Sequence, residues 1–367
     1  MTGYTTGVYA AAASIAAARM LLYREKKKEE TVALPGGEKA IIEISSVKAG
    51  DNSAYSLVTK KPNKDSDVTN GIEISVTTRF LDRETKDGIV IKGGTGVGTV
   101  TLPGLQVPVG KPAINPVPLQ MIASGVNKLK KTSKADRSLE LTVAVHNGEE
   151  IAKKTFNPKL GIVGGVSIIG TTGIVRPMSD DSWKESLLPQ VDMSLAAGYK
   201  KLVLTFGNLG ERAACNNGFS KRQIIQMSNF VGFILDACVK RKVEEVFLIG
   251  HLGKVIKIAD GHLDTHSKRT KQNLSILTTL AEEEGLSEPK IRRLKTAKSG
   301  EAALGILGNK GKAIMDKVAE YAGDRLYYHT GRSMKVSVAI TDLSGRIVGC
   351  QDEVREILKR PSKWGSG

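Results

Sequence analysis

The chain has 367 residues, of which 40% are hydrophobic and 5% aromatic, and its formal net charge is +16. This composition is typical of a globular protein and excludes a disordered or fibrous chain, while the length favours two domains. The excess of Lys and Arg indicates a negatively charged partner, and nucleic acid, an anionic lipid surface and a small polycarboxylate all fit that description.

The three cysteines, Cys215, Cys238 and Cys350, are far apart and show no CxxC spacing. They predict neither a disulfide framework nor a zinc site, and a reducing cytoplasm is the simplest compartment. The apolar run from Val8 to Leu22 has no basic leader and is interrupted by Arg19. We therefore expect neither a signal peptide nor a membrane span.

The N-terminal segment TGYTTG leads into an alanine-rich stretch that predicts a helix over residues 8–24. Thr5 and Thr6 stand where a helix N-cap is expected. Because the first turn of a helix presents free N–H groups, both threonines are also candidates for contact with an anionic substrate. The charged residues 25–30 are interpreted as a solvated linker.

Alternating polar and apolar residues predict five strands, at residues 40–45, 54–59, 72–78, 88–92 and 139–145. Asp67 lies in the turn segment DVTNG, and we interpret it as a turn residue that also contacts substrate. A helix is predicted over about residues 113–130, with Pro116 at an early position. Consecutive strands with a few helices favour an α+β domain.

The glycine-rich segment 93–99, GGTGVGT, is followed by a proline and not by a helix. A dinucleotide fingerprint requires a helix at that point, so the segment argues against a Rossmann site. Gly94 and Gly96 remain candidates for a loop that presents backbone N–H groups to carboxylates.

The stretch from Phe156 to Trp183 contains five glycines among Ile and Val residues. One interpretation is a buried strand pair with tight turns. The other is an anion-facing loop formed by Thr171, Thr172 and Arg176. We place the domain boundary here, with residues 1–180 as an α+β domain with glycine-rich loops and residues 181–364 as an α/β domain with βαβ units.

The second half repeats a pattern of strand, glycine turn and helix, which predicts a short parallel sheet. A helix is predicted over residues 179–197, strands over 201–206 and 245–249, and a helix through Met227 to Lys240 between the two strands. A late hairpin is predicted within residues 336–349.

Ligands of parallel sheets lie beyond the carboxyl ends of the strands. The segment after the first strand supplies the candidate cofactor-binding residues Gly207, Asn208, Gly210 and Glu211. His251 follows the second strand and is the candidate catalytic acid or base, because imidazole titrates near neutral pH.

The helix after His251 carries Lys254 and Lys257, the candidates for facing substrate carboxylates. His262 and His266 lack the glutamate that accompanies a helix-borne zinc pair, so no protein metal site is predicted.

Together these motifs resemble the cobalt-precorrin-5B C1-methyltransferase family of the oxygen-independent cobalamin pathway. The resemblance covers nearly the whole chain and rests on TGYTTG, DVTNG, GGTGVGTVTLPGLQVPVGKPAINPVP, FNPKLGIVGGVSIIGTTGIVRPMS, GNLGE, and GHLGK followed by THS. Val8-Tyr9 stands where the family pattern has Thr-Cys, and Asn70 where it has His. These departures argue against an essential thiol at position 9 and an essential base at position 70.

The resemblance implies S-adenosyl-L-methionine-dependent methylation of cobalt-precorrin-5B at C1, giving cobalt-precorrin-6A in anaerobic cobalamin (vitamin B12) biosynthesis. It implies an α+β domain followed by an α/β domain, a cytoplasmic enzyme, and a small anionic tetrapyrrole as partner. Cobalt would be present only as part of the substrate. Nucleic acid and membrane are not expected as partners, and a homo-oligomer stays open.

Two other classes stay open on the residues alone. A basic nucleic-acid-binding protein would share the charge, but the chain has no aromatic–glycine RNA motif. A small-molecule phosphotransferase could use residues 93–98 as a phosphate loop, but a lysine directly after those glycines would be expected and is not there.

Overall fold

The structure, a computed structural model, describes residues 3–62, 67–133, 137–175, 180–271 and 273–364. The chain divides into two units, residues 1–179 and residues 180–367. Each unit has its own hydrophobic core.

The first unit contains helices and short strands around one larger sheet. Its elements are β1 (Gly3–Tyr4), α1 (Thr6–Tyr23), β2 (Glu29–Ala33), β3 (Lys39–Glu43), β4 (Ser46–Ala49), β5 (Ser53–Thr59), β6 (Glu73–Phe80), β7 (Ile89–Gly93), β8 (Gly96–Val97), β9 (Thr99–Val100), α2 (Pro116–Ser133), β10 (Leu139–Val145), α3 (Gly148–Ala152), β11 (Ile162–Val163), β12 (Gly165–Val166) and β13 (Ile174–Val175).

The main sheet of this unit has the strand order β4-β5-β6-β10-β7, and only its β10–β7 pair is parallel. Buried and less buried residues alternate along β5 and β6, so one face of the sheet is directed to the core. Helix α1 packs on these two strands and on α2. Its alanines at positions 10–13 are fully buried, because a small side chain allows the helix to lie close to the sheet.

The five strands predicted for this unit are confirmed as β3, β5, β6, β7 and β10, and the predicted helices as α1 and α2. The interpretation of residues 25–30 as a solvated linker was wrong for its last two residues, which begin β2. Glu30 belongs to β2, is buried, and accepts a hydrogen bond from Arg19 Nε at 2.6 Å. By length and composition α1 could cross a membrane, but most of it is buried inside the unit, as in a core helix.

The glycine-rich stretch that begins at Phe156 forms three short strands that join distant segments. β11 pairs with β9, β12 with β8, and β13 with β1. Two glycines are required by close backbone contact: a Cβ at Gly165 would lie 2.2 Å from the carbonyl oxygen of Gly96, and a Cβ at Gly96 would lie 2.0 Å from that of Val145. These backbones therefore cross closer than any side chain allows.

The second unit is an α/β arrangement. Its elements are α4 (Asp180–Ala196), β14 (Lys201–Thr205), α5 (Asn208–Asn216), β15 (Ile224–Gln226), α6 (Val231–Lys240), β16 (Glu245–His251), α7 (Leu252–Ala259), α8 (Ser275–Glu283), α9 (Glu288–Lys295), α10 (Gly300–Leu307), α11 (Gly311–His329), β17 (Lys335–Thr341), β18 (Ile347–Cys350) and α12 (Asp352–Lys359).

The sheet of the second unit has the order β15-β14-β16-β17-β18, with β18 antiparallel and the other neighbours parallel. Strand β16 is buried along nearly its whole length, as expected for a central parallel strand covered by helices on both faces. The predicted parallel sheet and the late hairpin, β17–β18, are confirmed. The helix expected through Met227 to Lys240 is confirmed over residues 231–240 as α6, whereas α5 and the edge strand β15 occupy the segment before it.

Candidate active site

The parallel strands of the second unit end at one common edge. β14 ends before the Gly207–Glu211 segment, β16 ends at His251, and β17 ends at Thr341. Because these three strands are neighbours in the order β14-β16-β17, their carboxyl ends lie side by side. Ligands of α/β sheets bind at such an edge.

The polar side chains of the candidate cofactor segment contact a strand end. Gln226, the last residue of β15, donates a hydrogen bond from Nε2 to Asn208 Oδ1 at 3.1 Å and a second one to Glu211 Oε2. Part of the hydrogen-bonding capacity of Asn208 and Glu211 is therefore used inside the protein.

The two glycines of this segment have different surroundings. A Cβ at Gly210 would lie 2.9 Å from Cβ of Thr205, so Gly210 allows α5 to pack closely on β14. A Cβ at Gly207 would meet no heavy atom within 4 Å, so this position is open. Contact of either glycine with a cofactor stays a prediction.

His251 uses both ring nitrogens. It is the N-cap of α7, where Nδ1 accepts a hydrogen bond from the backbone N–H of Gly253 at 3.1 Å. Its Nε2 lies 3.3 Å from Oε2 of Glu301, in the first turn of α10. Because Nδ1 accepts, the neutral ring carries its hydrogen on Nε2 and donates it to Glu301. The imidazole therefore presents an N–H, and not a lone pair, toward Glu301.

Lys254 and Lys257 both contact the loop after α7. Lys254 Nζ donates to Asn229 Oδ1 at 2.6 Å and to the carbonyl oxygen of Thr265 at 3.0 Å. Lys257 Nζ donates to the carbonyl oxygens of Thr265 at 3.1 Å and Thr270 at 2.7 Å. Burial lowers the pKa of Lys257, and burial followed by the neighbouring Lys257 charge lowers the pKa of Lys254. Lys257 is buried and holds the loop, while Lys254 is less buried and nearer the strand ends.

In the first unit the predicted threonines come together at the start of α1. Thr6 Oγ1 accepts a hydrogen bond from the N–H of Ile169 at 2.9 Å, and the N–H of Thr5 donates to the carbonyl oxygen of Gly173 at 3.0 Å. Thr5 Oγ1 is buried and has no partner among the described residues. The exposed pair Thr171–Thr172 lies between Ile169 and Gly173, the two residues that these hydrogen bonds reach. Thus Thr6 joins two segments of the chain, whereas the hydroxyl of Thr5 keeps hydrogen-bonding capacity within the described part of the chain.

Asp67 is an ion-pair partner of a buried lysine. Lys60 Nζ donates to Asp67 Oδ2 at 2.8 Å and to Asn70 Oδ1 at 3.3 Å, and Lys60 is only 1% exposed. Asp67 Oδ1 also accepts from the N–H and Oγ1 of Thr69, at 2.8 and 2.7 Å. Burial opposes ionisation of Asp67, but the bonds from Lys60 and Thr69 outweigh it and lower the pKa of this carboxyl.

Two of the three positions that depart from the family pattern, Tyr9 and Asn70, contact Lys60 or its neighbour Lys61. Asn70 accepts from Lys60, and the hydroxyl oxygen of Tyr9 accepts from the backbone N–H of Lys61 at 3.0 Å. Both side chains therefore act as hydrogen-bond acceptors toward one short segment.

Gly94 and Gly96 take part in close backbone packing. The N–H of Gly94 donates to the carbonyl oxygen of Val143 at 2.7 Å, and Gly96 has a φ of +75°. Their contact with a substrate stays a prediction. Arg176 lies outside the described residues, and its contact with carboxylates stays a prediction as well.

Sequence reasoning missed Lys60, Gln226 and Glu301. Ser299 gives a helix-start signal just before Glu301, and it does cap α10, but that signal says nothing about a contact with a histidine fifty positions away. Edge strand β15 is three residues long, too short for a strand pattern that would have singled out Gln226.

Within the described ranges, no group of three or more His, Cys, Asp or Glu side chains is placed to hold a metal ion. His262 Nε2 instead lies 3.5 Å from Asp260 Oδ2. The three cysteines are free thiols, and burial raises the pKa of Cys238 to about 12.

Comparison with known proteins defines the class to which the chain belongs. The CbiD family model matches residues 1–177, and the model of the CbiD C-terminal domain matches residues 264–352. The chain belongs to the CbiD family.

Curated relatives cover almost the full chain. A protein named cobalt-precorrin-5B C(1)-methyltransferase from Desulfitobacterium hafniense is 38% identical over 99% of this chain and 93% of its own length. Proteins of the same name from Moorella thermoacetica and Methanocaldococcus jannaschii are 39% and 40% identical, over 99% and 95% of this chain and 97% and 95% of their own lengths.

A solved structure, the cobalamin biosynthesis protein (cbiD) from Archaeoglobus fulgidus, is 28% identical, with a TM-score of 0.39 over 77% of this chain and 84% of that chain. The family assignment rests on the sequence matches.

Proposed function

We propose that the chain transfers a methyl group from S-adenosyl-L-methionine to C1 of cobalt-precorrin-5B, giving cobalt-precorrin-6A in anaerobic cobalamin biosynthesis. The observation that carries the proposal is the identity of 38–40% to the three relatives named for this reaction, over 95–99% of the chain and so over both units.

The chemistry asks little of the protein beyond alignment. When bound, S-adenosyl-L-methionine supplies a methyl group on a sulfonium, which is already a strong electrophile. The sulfur–methyl bond breaks, a bond from methyl to ring carbon C1 forms, and a neutral thioether leaves. Any proton made surplus in the macrocycle must pass to a base or to water. The main task of the protein is to hold the two reactants in line and exclude water.

The charge of the chain suits this substrate. The tetrapyrrole carries acetate and propionate carboxylates around its rim, and the chain has 54 Lys and Arg against 38 Asp and Glu. Charge-assisted hydrogen bonds stabilise a complex by about 1.5–3 kcal/mol each, so a few are enough for micromolar binding. Lys254 supports this role because it lies beyond the end of β16 and its two partners leave a third ammonium hydrogen for a ligand.

We propose further substrate contacts in both units. They comprise Thr5, Thr6, Asp67, Gly94, Gly96, Thr171, Thr172, Arg176 and Lys257. Of these, Thr5 has support from its unpartnered hydroxyl, whereas the ammonium of buried Lys257 and the carboxylate of Asp67 already have internal partners.

His251 is the residue we place at the reacting centre. With its hydrogen on Nε2 and Nδ1 engaged by Gly253, the neutral ring is set to donate a hydrogen bond, not to take a proton. Since the methyl donor needs no activation, loss of the His251 side chain should have a moderate effect on turnover. Cobalt belongs to the substrate, so the chain needs no metal ligands of its own.

Binding of labelled S-adenosyl-L-methionine tests the class of protein. Binding that saturates supports a methyltransferase. Its absence, together with saturable binding of RNA or of a nucleoside triphosphate, would favour one of the other two classes. We place the reaction in the cytoplasm, consistent with three free thiols.

A further inference from the structure

A cavity of about 670 Å³ lies between α10, the start of α11 and the β17–β18 hairpin. Its volume is in the range of small-molecule sites, about 300–1,000 Å³. The cavity is at the carboxyl end of the sheet, because Asp342 and Ile347 in its wall flank the turn that follows β17. Glu301 forms part of the wall and contacts His251 at the end of β16.

We infer that this cavity binds the adenosyl and methionine parts of S-adenosyl-L-methionine. The inference rests on the proposed function. It puts the cosubstrate beside the β17–β18 hairpin, and not against the Gly207–Glu211 segment that the sequence suggests.

One carboxylate of the wall has hydrogen-bonding capacity for a ligand. Asp342 accepts bonds from Ser344 and Arg346, and is thereby occupied. Glu301 has His251 as its partner within the described part of the chain, and its side chain is 44% exposed. In dinucleotide-binding α/β folds an acidic side chain accepts a hydrogen bond from a ribose hydroxyl. We assign this role to Glu301.

The cations of the wall suit a carboxylate. Lys312 Nζ and Arg355 Nη2 contact the same oxygen of Asp316, at 2.7 and 2.9 Å, while the second oxygen of Asp316 accepts from the N–H of Cys350. Arg355 also has Asp352 as a partner, with Nη1 3.3 Å from Oδ1, whereas Asp316 is the carboxylate paired with Lys312. The Lys312 and Arg355 side chains are 66% and 50% exposed, so both can reach a ligand. We assign them the carboxylate of the methionine part.

Small and apolar residues complete the wall. Gly305, Gly308 and Gly311 come from the α10–α11 region, and Leu304 and Met315 add apolar surface. Such a wall suits the flat face of an adenine ring. Gly305 is helical, and a Cβ built there meets no heavy atom within 4 Å, so a large side chain at this position can be accommodated and would narrow the cavity.

The test is calorimetric titration of S-adenosyl-L-methionine into the full chain. Gly305→Trp should weaken binding at least about tenfold, since it fills the space that the ligand needs. Ala302→Trp, an exposed position on the same helix that is not part of the wall, should stay within about twofold. Gly207→Trp tests the competing site, the Gly207–Glu211 segment. If Gly207→Trp lost affinity for S-adenosyl-L-methionine while Gly305→Trp kept it, the inference would be overturned.

Comparing two ligands in one variant separates a lost contact from a loss of folding, because misfolding would weaken the binding of both ligands. Lys312→Met should weaken the binding of S-adenosyl-L-methionine about tenfold. The affinity for 5′-methylthioadenosine, which has no amino-acid part, should stay within about twofold of wild type. Equal losses for both ligands, or none for either, would overturn the assignment of Lys312. If wild-type protein bound no S-adenosyl-L-methionine at all, the proposed function would fall together with the cavity. If wild type bound it and the cavity variants did so equally well, only the cavity would fall.

Discussion

The imidazole of His251 and the carboxylate of Glu301 are in hydrogen-bond contact, with Nε2 3.3 Å from Oε2, although the two residues are fifty positions apart. The same imidazole caps α7 through Nδ1. One ring therefore connects the end of β16, the start of α7 and the start of α10. A change at His251 acts on helix capping and on the site together, so a single alanine variant cannot separate the two effects.

Two substitutions at His251 separate capping from catalysis. His251→Ala should slow methyl transfer about 10²-fold, the lower end for loss of a hydrogen-bond donor at a reacting centre, and should also lower the free energy of unfolding by about 1 kcal/mol through the lost cap. His251→Asn keeps a side chain that caps well, so its stability should match wild type while its turnover falls as in the alanine variant. Steady-state kinetics and urea unfolding measure the two effects. Full activity in either variant would give His251 a structural role alone.

Gly210 and Gly207 should respond differently to a side chain. Gly210→Val brings side-chain carbon against Thr205 and the carbonyl oxygen of Ile249, which lie 2.9 and 3.4 Å from the position of a Cβ. We expect a loss of about 1–3 kcal/mol of unfolding free energy from overpacking. Gly207→Val has open space and extended backbone, so its effect should be within about 0.5 kcal/mol. Equal melting temperatures for the two variants would contradict the packing described for α5.

The two lysines of α7 should differ in what they control. Lys257→Met leaves the carbonyl oxygen of Thr270 without its donor, while that of Thr265 keeps Lys254, and we expect a loss of about 1–3 kcal/mol of unfolding free energy. Lys254→Met should instead raise the KM for the tetrapyrrole about tenfold, equivalent to about 1.4 kcal/mol. The same KM effect is expected of Arg176→Gln. An unchanged KM in the Lys254 variant would make that residue structural.

The ion pair of Lys60 and Asp67 should contribute a pH-dependent part of stability. Asp67→Asn leaves a buried ammonium without its carboxylate, and we expect a loss of about 2–3 kcal/mol near neutral pH. The pKa of Asp67 is below its ordinary value of 3.8 in the folded protein. Its stabilisation is therefore present above that value and is lost as pH falls through the folded pKa.

Urea unfolding of wild type and Asp67→Asn between pH 7 and pH 3 measures this contribution. The difference between the two proteins should narrow toward the acid end. Asp82→Asn serves as control, because the carboxylate of Asp82 is fully exposed, and it should change stability by less than about 0.5 kcal/mol. A constant difference for Asp67→Asn across the pH range would contradict the ion pair as its source.

Sequence patterns predict the secondary structure of this chain better than they predict its tertiary contacts. The alternation in β5, β6 and β10 and the alanines of α1 are local signals, so the elements can be found from the sequence. Edge strand β15 has three residues and no such signal, and Glu30 looked solvated because its partner Arg19 belongs to a different element. Local sequence patterns do not predict which distant segments of the chain pair with each other.

The same limit applies to the site. The segment Gly207–Glu211 and His251 could be found because strand ends and glycine turns have a local pattern. Glu301 could not, since its contact with His251 depends on how α10 packs against α7. The dense glycines of residues 161–173 suggested a ligand loop, whereas close backbone crossing at Gly165 and tight turns explain several of them.

Methyl transfer itself is the most direct test. Purified protein is incubated anaerobically with cobalt-precorrin-5B and S-adenosyl-L-methionine labelled in its methyl group, and the tetrapyrrole is analysed by mass spectrometry and NMR. We expect one labelled methyl group on C1, formed in step with S-adenosylhomocysteine. Protein that binds S-adenosyl-L-methionine yet returns cobalt-precorrin-5B without a label, or labels a different ring position, would contradict the proposed function.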